Sequence, residues 1–204
     1  MYTIIIIAFT IVVSLIGFSN ETMFNKNAFI PSRIYENNEW YRFFTAGFLH
    51  ADFMHLFFNM FVLYSFGTNL EIYYGEIFGS SGKLVFFLLY VTAIGVAHIT
   101  TYIRNRHNSY YRSIGASGAV AAILFANIFL VPNGHVSVYG IHMNSLLFGV
   151  LYLGIEYYFS RRGGDNINHD AHFLGALYGF LFILVFKPSF FMHFIEQVQG
   201  MLPF

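Results

Sequence analysis

The sequence predicts an all-α membrane protein, a polytopic bundle of six transmembrane helices with a long interfacial first loop. Of its 204 residues, 57% are hydrophobic and only 10% are charged, whereas about a quarter of the residues in a soluble domain are charged. The apolar residues also form long runs, and a run of about 20 residues spans a bilayer. We therefore expect one membrane domain, residues 1–204, with little soluble mass.

Six apolar segments are expected to cross the membrane, at about residues 2–18, 45–70, 84–103, 115–131, 137–159 and 171–187. The first has no basic residue before Lys26 and no small-x-small cleavage site, so we interpret it as a retained span rather than a signal peptide. The fourth ends at the helix-breaking sequence Pro132-Asn133-Gly134. The fifth contains His142, Asn144 and Ser145, which predicts a looser helix that is partly exposed to water.

The first connection, about residues 20–45, is too long for a simple turn. It contains the aromatic residues Trp40, Tyr41, Phe43 and Phe44. Aromatic side chains are enriched where a membrane meets water, so this loop is expected to lie in the membrane interface.

Charge and cysteine content exclude several classes of function. The formal net charge of +0 gives a nucleic-acid partner no electrostatic support. The absence of cysteine excludes disulfides and thiol catalysis. There is no His-Glu-x-x-His motif, and the spacing of His50 and His55 does not align them on a helix as zinc ligands. We expect no metal and no other cofactor.

Chemically active polar residues occur at the starts of the second, fourth and sixth segments. Because successive membrane helices alternate in direction, these three starts should lie at one face of the membrane. Polar groups within membrane spans are costly and are therefore functional candidates. They are His50, His55 and Asn59 in the second segment, Ser117 in the fourth, and His169 and His172 around the start of the sixth.

These residues are suited to acyl transfer. A serine nucleophile needs a base within hydrogen-bond reach, and His172 is the best candidate for Ser117. Gly175 and Gly179 form a small-xxx-small pair, and small residues let membrane helices approach closely. We therefore expect the fourth and sixth helices to pack tightly and to bring His172 to Ser117.

The predicted catalytic unit is a Ser–His dyad without an acid. Asp170 is two residues from His172, and residues at that spacing do not face each other on a helix. The oxyanion of the tetrahedral intermediate needs hydrogen-bond donors. Asn59, His55 and the backbone N–H of Ser117, near a helix N-terminus, are the predicted donors.

Each signal also has a structural interpretation. The sequence Gly115-Ala116-Ser117-Gly118 is also compatible with a tight turn at a helix start with a capping serine. His172 taken alone is equally compatible with a hydrogen bond between helices. Gly175 and Gly179 serve close packing in either case.

Four ordered motifs together resemble the rhomboid intramembrane serine proteases, of the bacterial type with a six-helix core. They are Glu39-Trp40-Tyr41-Arg42 in the first loop, His50 to His55 followed by Asn59, Gly115-Ala116-Ser117-Gly118, and Ala171-His172 followed by Gly175 and Gly179. The resemblance runs across nearly the whole chain, and the four motifs in this order are jointly specific.

The resemblance implies a serine endopeptidase that cleaves transmembrane segments of other membrane proteins within the lipid bilayer. It implies that Ser117 is the nucleophile, that His172 is the general base, and that His55 and Asn59 belong to the oxyanion hole. Trp40 and Arg42 resemble scaffold residues of the first loop, and Glu71 resembles a structural acid. His50, Gly115, Gly118, Gly175 and Gly179 are the remaining supporting residues.

Two features depart from the family pattern. Many members carry an aromatic residue four positions after the serine, where this chain has Ala121, so that His172 is either held less firmly or held by another ring such as Tyr178. The second concerns orientation, because the loops after odd-numbered helices carry most of the cations and would be cytoplasmic by the positive-inside rule, opposite to the usual family orientation. These cations are Lys26, Arg33, Arg42, Arg104, Arg106, Arg112, Arg161 and Arg162, against Lys83 and Lys187 on the other side.

The predicted location is a bacterial cytoplasmic membrane, as a multi-pass protein whose active site opens toward the face where the second, fourth and sixth helices begin. One alternative is a catalytically inactive rhomboid-like protein that binds membrane helices, although such relatives usually lack the serine or the histidine. Another is a small transporter with histidine proton relays. A transporter would predict polar residues at both ends of the spans and an inverted repeat.

Overall fold

A computed structural model describes residues 1–138 and 141–201. Over those ranges the chain is almost entirely helical, with one short β-hairpin. The helices are α1 (Tyr2–Ser19), α2 (Glu21–Asn27), α3 (Pro31–Asn37), α4 (Arg42–Thr45), α5 (Phe53–Phe78), α6 (Gly82–Ala97), α7 (Ile99–Asn105), α8 (Ser117–Leu130), α9 (Ser145–Arg162), α10 (His169–Phe186) and α11 (Phe190–Gln199). The strands are β1 (His135–Val138) and β2 (Ile141–Asn144).

Helix α8 lies at the centre of the bundle. All of its residues from Gly118 to Leu130 are buried, and α5, α6, α9 and α10 pack around it. By length and apolar composition, α1, the helical run Phe53–Asn105 and α10 are long enough to cross a membrane. Helix α8 is apolar but has only 14 residues, and α9 carries Glu156, Arg161 and Arg162. The protein is a helical membrane protein, and its six crossings stay a prediction.

The structure corrects the start of the fifth predicted segment, 137–159. Strands β1 and β2 pair antiparallel, with His135 opposite Asn144 and Ser137 opposite His142; residues 139 and 140 of this segment lie outside the described ranges. The alternation His-Val-Ser-Val has the period of a strand rather than that of a helix. The helix itself begins at Ser145, where the side chain of Asn144 accepts a hydrogen bond from the backbone N–H of Leu147 at 3.1 Å.

The second predicted segment, 45–70, also begins later than expected. Helix α5 begins at Phe53, because the Asp52 carboxylate caps it by accepting a hydrogen bond from the backbone N–H of His55 at 2.8 Å. At its other end α5 extends to Phe78. Near that end Glu71 is buried and accepts hydrogen bonds from the backbone N–H groups of Tyr2 at 2.7 Å and Thr3 at 3.0 Å. Glu71 therefore ties the start of α1 to α5.

The first loop folds into the short helices α2, α3 and α4, and Arg42 ties α4 to the end of α2. This side chain is buried, pairs with Glu39, and donates from Nη1 to the backbone carbonyls of Asn25 at 3.0 Å and Ala28 at 2.7 Å. Trp40 is half exposed and packs on Phe43. Its position at the surface is compatible with the membrane interface predicted for this loop.

Helices α8 and α10 approach each other at backbone distance. A Cβ added at Gly175 would lie 2.1 Å from the carbonyl oxygen of Gly118, and one added at Gly179 would lie 2.0 Å from that of Ala122. A Cβ at Gly118 would in turn lie 2.6 Å from that of Ala97 in α6. No larger residue fits these contacts, which set the first turns of α8 and α10 side by side.

Candidate active site

Ser117 and His172 meet where these two helices begin. Ser117 is the first residue of α8, and His172 lies in the first turn of α10. The Oγ atom of Ser117 is 2.6 Å from Nε2 of His172. This is the distance required for a histidine to take the proton of a serine hydroxyl.

A carboxylate that the sequence analysis did not name stands behind His172, and the Ser–His dyad without an acid stays a prediction. Oε1 of Glu156, in α9, lies 3.2 Å from Nδ1 of His172. Asp170, the acid that the sequence analysis considered, does point elsewhere, because it pairs with Arg104 at 2.6 Å. Sequence reasoning missed Glu156, although a lone acid in an apolar helix is costly and signals a function.

His169, also named from the sequence, lies behind Glu156 rather than at Ser117. Its Nδ1 is 2.6 Å from Oε2 of Glu156, and its Nε2 is 3.0 Å from Oδ2 of Asp165. Asp165 is in the loop between α9 and α10, where the hydrogen bond to His169 lowers the pKa of its carboxyl below the usual value. The hydrogen-bonded chain thus runs from Ser117 through His172, Glu156 and His169 to Asp165.

Ser117 and His172 face a cavity of about 1060 Å³. Ser117, His172, His55 and Asn59 all line it, so that the four residues predicted to act together share one space. Polar loop residues and apolar rings also form the wall, among them Asp52, Asn166, Asn168, Phe58, Phe148 and Tyr152. Tyr111 lines it as well, and burial raises the pKa of its phenol to about 12.

The predicted oxyanion-hole residues are held by local contacts. The Nδ2 atom of Asn59 donates to the backbone carbonyl of His55 at 3.0 Å, and an amide nitrogen has two hydrogens to donate. The ring of His55 packs against Gly115, where a Cβ would lie 2.9 Å from its Cε1 atom. Gly115 has a backbone φ of 120°, a conformation that residues with a Cβ rarely adopt and that favours glycine. The Ser117 N–H is one of the first-turn donors that have no partner within a helix.

His50 supports His55 from outside the cavity. It is buried, its Nδ1 lies 2.9 Å from the hydroxyl of Ser14, and its ring meets that of His55 edge-on at 4.9 Å. Trp40 and Arg42 belong to the folded first loop and do not line the cavity. None of these three predicted residues lines the cavity, and their supporting roles stay predictions.

The ring expected to compensate for Ala121 is not Tyr178. The Tyr178 hydroxyl lies 2.7 Å from Oγ1 of Thr92, on the α6 side of α10. Tyr152 of α9 packs instead against the apolar cluster that contains Ala121, and it also lines the cavity. Beside Ala121 the apolar cluster thus takes an aromatic ring from α9.

Three side chains behind the cavity could hold a cation. Glu156, His169 and His172 each offer one ligand atom, and these atoms lie within 4.8 Å of one another. Carboxylate oxygen and imidazole nitrogen are ligands that zinc accepts. The same atoms already satisfy one another by hydrogen bonds.

Comparisons with known proteins identify the family of this chain. A family model described as the Rhomboid domain matches residues 37–189. The chain is 29% identical over 170 residues to RHOMBOID-like protein 12, mitochondrial, of Arabidopsis thaliana, covering 78% of this chain and 50% of that protein. It is 30% identical over 145 residues to Putative rhomboid protease YdcA of Bacillus subtilis, covering 71% and 66%.

A third relative is Rhomboid protease GluP of Bacillus subtilis, 32% identical over 143 residues, which cover 70% of this chain and 25% of that protein. The matched region thus spans between 25% and 66% of the length of these relatives. The family contains serine intramembrane proteases and also inactive members. On the family-model match over residues 37–189, this chain belongs to the rhomboid family.

Proposed function

We propose that the protein is an intramembrane serine endopeptidase that cleaves transmembrane segments of other membrane proteins, with Ser117 as nucleophile and His172 as general base. The observation that carries this proposal is the 2.6 Å contact between Ser117 Oγ and His172 Nε2 beside a cavity in a membrane bundle. A serine and a base at this distance form the minimal unit for acyl transfer.

The reaction follows from these positions. Ser117 Oγ attacks the carbonyl carbon of the scissile peptide while its proton passes to Nε2 of His172. Asn59, His55 and the Ser117 backbone N–H donate to the oxyanion of the tetrahedral intermediate. His172 then gives its proton to the leaving amine, and the acyl-enzyme remains. Water, deprotonated by the same nitrogen, then attacks the ester carbonyl. The C–O bond to Ser117 breaks, the proton passes from His172 back to Ser117 Oγ, and the new C-terminal acid leaves.

The cavity wall has an apolar side and a polar rim, which suits a substrate segment that moves from the lipid into the site before it is hydrolysed. Phe58 of α5 and Phe148 and Tyr152 of α9 give it an apolar side, and Asp52 and Asn168 give it a polar rim. An apolar segment must give up some helical hydrogen bonds before a serine can reach its backbone, and polar loop groups can satisfy the bonds that are freed. The substrate class is therefore a transmembrane helix that unwinds locally.

The proposed setting is a bacterial cytoplasmic membrane crossed six times, with the site opening toward the face where α5, α8 and α10 begin. Two of the cations that conflict with the usual orientation are neutralised, since Arg42 is buried beside Glu39 and Arg104 pairs with Asp170. The positive-inside rule counts Lys and Arg rather than net charge, so these pairings leave the conflict in place.

An inactive helix-binding relative is the alternative. It needs no activated serine, whereas here the hydroxyl of Ser117 is in direct contact with a histidine. A proton-relay transporter is favoured less, because the cluster Ser117–His172–Glu156 lies at one end of the bundle.

The deciding experiment measures cleavage of a single-span reporter in proteoliposomes together with labelling by a fluorophosphonate. A protease is expected to cut the reporter within or beside its span and to carry the label on Ser117. His172→Ala should lose both activities. Reporter binding without cleavage and without labelling would support the inactive relative instead.

Asn59→Ala tests the oxyanion hole. Loss of one donor is expected to lower kcat by about 10- to 1000-fold with little change in KM, because the oxyanion forms only in the transition state. Steady-state cleavage of the same reporter measures both constants. Asn69→Ala is the matched control, since Asn69 makes the same contact to the carbonyl four residues earlier on an exposed part of α5. Equal kcat in the two variants would remove Asn59 from the hole.

A further inference from the structure

Glu156 is a buried carboxylate in an otherwise apolar part of α9, and the reaction steps above do not use it. Its exposed fraction is only 7%. An ionised carboxylate in such surroundings is costly unless hydrogen bonds replace the lost water. Two histidines in the first turn of α10 supply these hydrogen bonds: His172 contacts Oε1 of Glu156, and His169 contacts Oε2.

His172 is held at both of its ring nitrogens. Its Nε2 is 2.6 Å from Ser117 Oγ, and its Nδ1 is 3.2 Å from Glu156 Oε1. A neutral imidazole has one donor and one acceptor nitrogen. Nε2 must be the acceptor if it is to take the proton of Ser117, so Nδ1 must carry the hydrogen. A carboxylate beside Nδ1 favours that tautomer and stabilises the imidazolium that forms in the reaction.

Glu156 is itself fixed from the opposite side. His169 contacts its Oε2 atom at 2.6 Å, contacts Asp165 at 3.0 Å through the other ring nitrogen, and stacks on Phe159 with ring centroids 5.3 Å apart. A ring between two carboxylates is best satisfied when both of its nitrogens donate. His169 thus occupies one oxygen of Glu156 and directs the other toward His172.

We propose that Glu156 positions the catalytic histidine, so that the working unit is Ser117–His172–Glu156, with His169 and Asp165 orienting the carboxylate. The inference rests on the proposed function because it concerns the same site. During acylation the proton of Ser117 moves to Nε2 of His172 and later to the leaving amine. The hydrogen on Nδ1 stays in place, and Glu156 remains ionised throughout.

A purely structural role is the competing interpretation, because the contact between Glu156 and His169 alone would tie α9 to α10. The two roles differ in what they predict for His169. If the contact between α9 and α10 is what matters, loss of His169 lowers kcat as much as loss of Glu156 does. If the orientation of His172 is what matters, loss of Glu156 lowers kcat far more than loss of His169.

The test compares four variants of the whole 204-residue chain, Glu156→Gln, Glu156→Asp, His169→Gln and Glu196→Gln, in proteoliposomes with the single-span reporter. Glu196 is exposed on α11 and serves as the matched control. Each variant is characterised by kcat, KM and Tm, with a chelator present so that no cation occupies the cluster of Glu156, His169 and His172.

Glu156→Gln is expected to lower kcat by about 100- to 10,000-fold, as removal of the charge behind a catalytic histidine does, and to leave KM within about threefold of the wild-type value. Glu156→Asp should recover part of this loss, because the carboxylate is retained. His169→Gln should lose about tenfold, the low end for a group that orients another side chain of the site, and Glu196→Gln should match wild type.

Wild-type kcat in Glu156→Gln, or a loss no greater than that of His169→Gln, would overturn the proposal. If Glu156→Gln does not fold, Glu156→Asp decides in its place: its side chain is one methylene shorter and withdraws the carboxylate from Nδ1 of His172, so wild-type kcat in that folded variant would show that the contact does not matter and would overturn the proposal. Failure of the wild-type chain to cleave the reporter and to take the fluorophosphonate label is a separate result. It refutes the proposed function, and this inference falls with it.

Discussion

Replacement of Ser117 by alanine is expected to abolish cleavage of a transmembrane reporter while the protein keeps its fold. The change removes one oxygen atom, whose hydrogen-bond partner is Nε2 of His172. The residue that caps α8 is Ala116, and no side chain caps this helix, so no capping bond is lost. Alanine also has the highest helix propensity. The rate should fall by about a million-fold, as it does when a nucleophilic serine is removed from a serine protease.

Ser65→Ala is the matched control for this experiment. The hydroxyl of Ser65 bonds to the carbonyl of Phe61 within α5, and the residue does not line the cavity. Both variants should match wild type in thermal unfolding, and only Ser117→Ala should lose cleavage and fluorophosphonate labelling. Cleavage by purified Ser117→Ala at more than about a thousandth of the wild-type rate would exclude the nucleophile assignment.

Ser117 and His172 could be predicted because their meeting depends on features that a sequence displays directly. Alternating helix direction sets both residues at one end of the bundle. The glycines at 175 and 179 then fix the contact, since each lies against a backbone carbonyl of α8. Neither step requires knowledge of how a side chain is oriented within a helix pair.

Glu156 could not be predicted in the same way. It is 16 residues from His172 along the chain and lies on a different helix, so its contact depends on the rotation of α9 about its own axis. That rotation is set by packing against α8 and α10, which no short motif records. The sequence did contain a weaker signal, because Glu156 is the one acidic residue between Ser145 and Arg162. A buried charge in such a helix requires a partner.

The hairpin formed by β1 and β2 escaped prediction for a different reason. The polar residues His142, Asn144 and Ser145 within an apolar segment predict a looser helix, whereas they mark the boundary between a strand and a helix. The alternation of His135 to Val138 and the capping side chain of Asn144 mark two elements instead of one. Patterns of hydrophobicity carry the least information at helix boundaries. The capping contacts determine where the helix begins.

Gly179→Val is expected to destabilise the protein by forcing α8 and α10 apart. A Cβ at this position would lie 2.0 Å from the carbonyl oxygen of Ala122, and the next atoms within reach also belong to the backbone of α8. Backbone cannot rotate aside as a side chain can, so α8 and α10 must separate. Overpacking lowers the free energy of unfolding by about 1–3 kcal/mol where side chains can adjust. The loss for Gly179→Val should lie at or above the upper end of this range.

For a chain of this size, a loss of about 3 kcal/mol lowers Tm by about 6–12 °C. Gly154→Val is the matched control, because Gly154 is a helical glycine of α9 with no atom within 4 Å of an added Cβ. It carries the same change in helix propensity and backbone freedom without the clash. The difference in Tm between the two variants in one detergent therefore isolates the α8–α10 contact.

Because that contact also sets Ser117 against His172, cleavage by Gly179→Val should fall even at temperatures where the variant remains folded. Equal Tm values for the two variants would show that α8 and α10 tolerate separation and that other contacts hold the catalytic pair.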